Sequence, residues 1–146
     1  MQEELITFET AKLAKEKEFN IPVISYYTPK GYCTESEGYK TERLEESNWN
    51  NGMGSYPTLS KDVSCSAPTQ SLLQKWLREV HGINIFMTFK PNIKKWDFIP
   101  YSMSMNAKEY IEYNSEYTKI HNERRFDTYE EALEVGLQEA LKLIQK

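Results

Sequence analysis

The sequence predicts an α+β domain: an antiparallel sheet of three to four strands covered by three helices in a two-layer arrangement. Three observations lead there. Three segments carry apolar residues at helical spacing along one face only, so each must find a surface to cover. Between the second and third of them lie short runs rich in β-branched and aromatic residues, separated by tight turns, which implies antiparallel strands. Finally, 146 residues with 3 Trp, 10 Tyr and 6 Phe are enough for one domain, residues 1–146, with its own core.

The first helix is expected over residues 7–18, TFETAKLAKEKE. Thr7 suits the N-cap, Phe8, Ala11 and Ala14 form a narrow apolar stripe with Leu13 at its margin, and the Asn20-Ile21-Pro22 turn stops the helix. VISYY, 23–27, reads as a strand. Residues 28–65 form a polar insertion rich in Gly, Ser, Asn and Glu. A structureless loop of that length is unusual in a compact domain, so a short hairpin is expected inside it, with Asn51-Gly52 as the candidate tight turn.

SAPTQSLLQKWLREVHGI, 66–83, is the best-defined helix. Ser66 is expected to cap it, Pro68 to sit in its first turn, and Gly82 to end it in the left-handed conformation. Leu72, Leu73, Trp76, Leu77 and Val80 fall on one broad face, which reads as core. INIFMTF then alternates as a strand, Pro91-Asn92 turns it, and WDFIPYSMSM returns as a second strand in which Pro100 marks an edge or a bulge. YIEYNSEYTKI, 110–120, is open between a third strand and a helical turn followed by a strand. The last helix, in FDTYEEALEVGLQEALKLI, starts with Thr128 and Glu131 in capping-box spacing. Its buried stripe is Leu133, Leu137, Ala140, Leu141 and Ile144, with Gly136 allowing close approach of a neighbour.

A net charge of −4 argues against a protein built to neutralise phosphates, so nucleic acid is a disfavoured partner. No run approaches the ~18 apolar residues of a membrane span, and the acidic MQEELITFET is unlike a secretory signal; a soluble, cytoplasmic chain that avoids membranes is expected. Cys33 and Cys65 read as free thiols. With only His81 and His121 beside them and no chelate spacing, neither a metal nor a cofactor is expected. The chain contains no G-x-S-x-G elbow, P-loop, G-x-G-x-x-G or H-E-x-x-H. Cys65 with a histidine is the most economical nucleophile and base, yet nothing in the spacing supports it.

Three groups of residues are candidates for binding. Gln74 and Arg78, with Gln70 and Lys75, could read bases from the polar face of the 66–83 helix. Glu79 and the acidic balance favour a merely solvated face. Arg124 and Arg125, with His121 and Lys119, could form a small anion site that suits phosphate, against which stands pairing with Glu123, Asp127, Glu130 and Glu131 at the surface. Trp49 and Tyr56, with Tyr32 and Tyr39, give the insertion the makeup of a binding loop, and equally that of an aromatic cluster that orders the loop.

ETAKLAKEK, SAPTQSLLQKWLREVH and FDTYEEALEVGLQEALKLI, in that order, resemble phrases of a widespread group of small proteins encoded by bacteriophages and prophages of Bacteroides-type gut bacteria. The resemblance implies a mobile-element origin and action inside a bacterial host, and it carries no activity, cofactor or catalytic residue. Where relatives have Gly before the Phe, this chain has Glu18, a poorer cap for the first helix. The expected function is a non-catalytic binding or interaction module, whose partner is a host or phage protein or a small anionic ligand; a homo-oligomer is compatible with it. The alternative is a small enzyme, hydrolytic in type, with its site between the insertion and the sheet. DNA binding ranks third.

Overall fold

A computed structural model describes residues 3–35, 48–51 and 64–145. The class is α+β as expected, with four helices and two small antiparallel sheets among the described residues. The chain divides into two compact units, Met1–Thr69 and Gln70–Lys146.

In the first unit, α1 (Phe8–Glu16) starts where the sequence places it, with the Thr7 side chain accepting the Thr10 N–H. Ala11 and Ala14 are buried, and the helix packs on β3 (Cys65–Ser66). Its end is irregular. Glu18 adopts φ 66°, which lets the Phe19 N–H reach back to the Ala14 carbonyl and turns the Phe19 ring into the core. Glycine takes that conformation without steric cost, whereas glutamate meets its own Cβ.

The central strand β1 (Ser25–Tyr27) pairs antiparallel with β2 (Cys33–Glu35) on one side and with β3 on the other. The hairpin expected inside the insertion instead straddles its start: its first strand, β1, precedes residue 28, and it turns at Thr28–Tyr32. Thr28 and Tyr32 bond through their backbones, and Gly31 supplies the positive φ of 87°. The ring of Phe8 lies where a Cβ on Gly31 would sit, at 3.1 Å. Pro29 and Gly31 are the turn residues that the reading of Asn51-Gly52 passed over. Asn51 belongs to a 3₁₀ turn, Trp49–Asn51, and Gly52 lies outside the described residues.

In the second unit, α2 (Gln70–His81) begins later than Ser66 and Pro68 suggest. Ser66 does not cap it: pairing with Tyr26 holds Ser66 extended in β3, and the Ile6 N–H takes the Pro68 carbonyl. Gly82 ends the helix at φ 63° as expected. Leu73, Trp76 and Leu77 are buried, but Leu72 is only half-buried and Val80 is 60% exposed. Gln70 takes part of the apolar face instead. Its amide donates to the Glu130 carbonyl at 3.0 Å and to Glu134 Oε2 at 2.8 Å, tying α2 to α4 (Tyr129–Lys142).

Strands β4 (Ile83–Lys90) and β5 (Lys95–Ser102) pair antiparallel in register from Ile83 with Ser102 to Lys90 with Lys95. Residues 110–120, expected as a third strand or as a helical turn followed by a strand, belong instead to one continuous helix, α3 (Ala107–Ile120). Asn106 and Glu109 form its capping box: the Asn106 side chain accepts the Glu109 N–H, and the Glu109 carboxylate accepts the Asn106 N–H. Thr128 caps α4 in the predicted place, and Leu133, Leu137, Ala140, Leu141 and Ile144 are buried. Gly136 lies against the hairpin, where a Cβ would be 3.1 Å from Ile85 and 3.2 Å from Phe98.

Two predictions test these packing claims. Glu18→Gly is expected to hold or raise the melting temperature, whereas Glu18→Val loses about 1–2 kcal/mol, read by thermal and denaturant unfolding, because a β-branched side chain is the worst fit at positive φ. Gly136→Leu is expected to lower stability by about 3 kcal/mol in urea unfolding, since the added atoms meet two core side chains already in contact distance.

Candidate functional site

The parity of the β4–β5 ladder decides what each edge presents. Trp96 exchanges both of its backbone bonds with Phe126 on the side away from β4, so Trp96, Phe98 and Pro100 point their backbone groups to the outer edge of β5. That edge is closed residue by residue. Phe126 satisfies Trp96, the Arg124 guanidinium donates to the Phe98 carbonyl at 2.6 Å, and the Tyr113 hydroxyl donates to the Pro100 carbonyl. Pro100 has no N–H to satisfy, and the Phe98 N–H is held by Asp97 Oδ1 at 2.8 Å. Pro100 is thus the edge marker that the sequence announces.

Arg124 is consequently built into the fold. Its guanidinium donates to Asp97 Oδ1 at 3.0 and 3.1 Å and to the Tyr117 hydroxyl at 2.9 Å, and it stacks 3.8 Å over the Phe98 ring. Burial alone would raise the Asp97 carboxyl, but the Lys90 ammonium, the Phe98 N–H and the Arg124 guanidinium outweigh it and hold the group below the usual carboxylate range. Arg125 is exposed and donates to the carbonyls of Asn122 and Arg124. The two arginines therefore do not converge on an anion. The partner of Arg124 is Asp97, outside the carboxylates considered from the sequence, while Asp127 pairs with Lys95.

The other candidates fall in different places. Trp49 is 1% exposed in the first unit, its indole N–H donates to the Val23 carbonyl at 2.7 Å, and its ring packs on Tyr26 at 4.7 Å. Trp49 is thus a core residue of its unit, whereas Tyr32 is 69% exposed. Tyr56 lies outside the described residues. Gln74 is half-buried and Arg78 exposed on α2, where Lys75 and Glu79 form an ion pair at 3.9 Å.

The structure brings together a set that the sequence reading did not assemble. On the outer face of the hairpin, Asn84 and Tyr101 are paired across the strands, and the Asn84 amide donates to the Tyr101 hydroxyl at 2.9 Å. Tyr101 meets Tyr110 of α3 edge to face at 5.0 Å. Phe86, two residues from Asn84 and so on the same face, is 51% exposed. These three rings, with Met105, Asn106 and Ala107, line an open cleft of about 390 Å³. No charged side chain lines it, and pockets of ~300–1,000 Å³ with mostly apolar walls and a few polar groups suit small ligands or side chains. Period-two alternation in INIFMTF was the signal for Phe86. Tyr110 needed the capping box to place it.

A second pocket, of about 500 Å³, shares Met105 with the first and is lined by His81, Ser102, Ser104, Tyr113 and Gln145 among others. The Ser102 and Ser104 hydroxyls are 2.8 Å apart. Burial pulls the His81 imidazole below its ordinary range, so it is neutral at pH 7; it stands edge-on to Trp76 at 4.5 Å. Burial, Tyr117 and Glu139 push the Tyr113 phenol up to about 12, which keeps it protonated as a donor to Pro100. Among the described residues no group of three or more His, Cys, Asp or Glu could hold a metal, and no helix is long and apolar enough to cross a membrane. No family model matches the chain, and neither does a curated protein or a solved structure.

Arg124→Ala is expected to cost about 3 kcal/mol in urea unfolding, because it strips Oδ1 of a largely buried carboxylate of two charged donors and uncaps the Phe98 carbonyl. Asp97 also sets the acid response. A carboxyl lowered by folding contributes stability that is complete above its unfolded value near 4 and is lost as pH falls through the folded value. Asp97→Asn is therefore expected to flatten the fall of stability below about pH 4, seen by comparing melting temperatures across the acid range.

Proposed function

We propose that the chain is a small non-catalytic binding module of phage or prophage origin, acting in the cytoplasm of a bacterial host, and that the aromatic cleft is its contact surface. The observation that carries this reading is that Phe86, Tyr101 and Tyr110 converge at the surface without a charged neighbour in the lining. Their apolar area offers more to a partner than to the fold, since a half-exposed aromatic ring leaves much of its burial energy unused. An uncharged aromatic cleft selects an apolar or aromatic side chain of a partner protein over a small anion, which would lose its hydration there without a cation to replace it. The Tyr101 hydroxyl and the Asn106 amide are the polar groups in the lining that would orient such a group.

N-acetyl-tryptophanamide and acetyl phosphate serve as probes of opposite chemistry. In amide-resolved NMR titrations, millimolar N-acetyl-tryptophanamide is expected to shift Phe86, Met105 and Ala107, acetyl phosphate to leave them in place, and Tyr110→Ala to abolish the response. Shifts gathered elsewhere, or a stronger response to acetyl phosphate, would sink the reading.

The His81, Ser102 and Ser104 pocket favours a second reading, a small hydrolase in which neutral His81 acts as base for a serine hydroxyl. Fluorophosphonate labelling decides it. Modification at Ser102 or Ser104 that disappears in His81→Ala would establish the nucleophile, and an unlabelled protein would remove this reading.

A further inference from the structure

The two edges of the β4–β5 sheet are treated in opposite ways. On β5 the outward groups of Trp96, Phe98 and Pro100 are answered, by Phe126, Arg124, Asp97, Tyr113 or the missing N–H of Pro100. On β4 the same parity turns the backbone groups of Ile83, Ile85, Met87 and Phe89 outward. Among the described residues no backbone bond is made to them. Ile83 and Ile85 are 4% exposed, so the accessible part of this edge is Met87–Phe89. Nothing in INIFMTF protects it: the run holds no charge, no Pro and no Gly, the devices by which sheets ordinarily blunt a free edge.

We infer that the Met87–Phe89 edge of β4 pairs antiparallel with the same segment of a second copy of this chain, about a two-fold axis at Thr88. The identity of the occupant follows from register. Centring the pair on Thr88 sets Met87 opposite Phe89 of the second copy and Phe89 opposite its Met87. Both are outward-pointing residues, so each pair exchanges two backbone hydrogen bonds. Apolar side chains then meet apolar side chains on the inner face. On the outer face Thr88 meets its own counterpart, and Lys90 lies opposite Phe86 rather than opposite another lysine. No like charges oppose each other, and the two hairpins become one continuous sheet of four strands, which shelters Phe89, now 44% exposed. A closed isologous dimer results, because the edge used by one copy is the edge used by the other. The inference does not rest on the cleft reading, and it brings Lys90 of the second copy beside Phe86 at the rim of that cleft.

Sedimentation of the full chain over a wide concentration range tests the inference, and a monomer–dimer equilibrium is expected. Thr88→Lys places an ammonium beside Asp97, its partner across the hairpin, so the fold tolerates it, but it opposes its own copy across the two-fold axis and is expected to weaken the dimer at least about tenfold. A non-hydrogen-bonded antiparallel pair brings Cα atoms to about 4.5 Å, within reach of a disulfide. In a Cys33→Ser background, Thr88→Cys is therefore expected to yield a covalent dimer under mild oxidation, while Ile111→Cys on exposed α3 does not. A chain that stays monomeric at millimolar concentration and does not cross-link through residue 88 would overturn the inference. A dimer that Thr88→Lys leaves unchanged would overturn it equally, by placing the contact on another face.

Discussion

The second unit depends on the burial of one ring, Phe98. A two-stranded hairpin is marginal in water, so its inner face must be covered by helices before it is stable. Phe98 is fully buried at the centre of that face, and α4 comes close enough to cover it because Gly136 leaves room above the ring. Arg124 lies over the same ring, and Phe126 packs beside it at 5.8 Å. Backbone, charge and packing therefore meet at one residue, and the interactions that hold the ring also close the edge of its strand.

Closing that edge determines which aromatic residues remain for other work. Tyr113 and Tyr117 of α3 face β5 and are committed, the first to the Pro100 carbonyl and the second to Arg124. Tyr110, one turn earlier, meets the ring of Tyr101 at the hairpin surface and leaves a cleft beside Phe86. The proposed contact surface is thus what the structural use of the α3 tyrosines leaves over. The arginine pair shows the converse. Arg124 had the chemistry of an anion ligand, but its donors are engaged by Asp97, Tyr117 and the Phe98 carbonyl.

Much of the fold was legible because local rules and tertiary needs agreed. Thr7, Gly82 and Thr128 sit at helix ends where caps and left-handed stops belong, and INIFMTF alternates as a strand with one face buried should. Disagreement arose where a partner distant in sequence took over. Gln70 looked like a solvated position until Glu130 and Glu134 supplied acceptors for its amide, and Val80 looked buried until the covered face proved narrower than the apolar stripe. Ser66 had the right side chain for a cap, yet strand pairing with Tyr26 set its backbone. In 110–120 the aromatic spacing obscured a helix whose start was written in Asn106 and Glu109.

The amino-acid sequence alone determined the α+β class, the starts of α1 and α4, the end of α2, the hairpin with its proline-marked edge, and the close approach at Gly136. These rest on short-range physics: capping hydrogen bonds, backbone sterics and the periodicity of apolar residues. Only the tertiary structure decided that Arg124 closes a strand edge, that Trp49 is core, and that Phe86, Tyr101 and Tyr110 share a surface. Each of those outcomes depends on a partner brought near by packing rather than by sequence proximity, and a side chain's chemistry does not disclose which partner that will be.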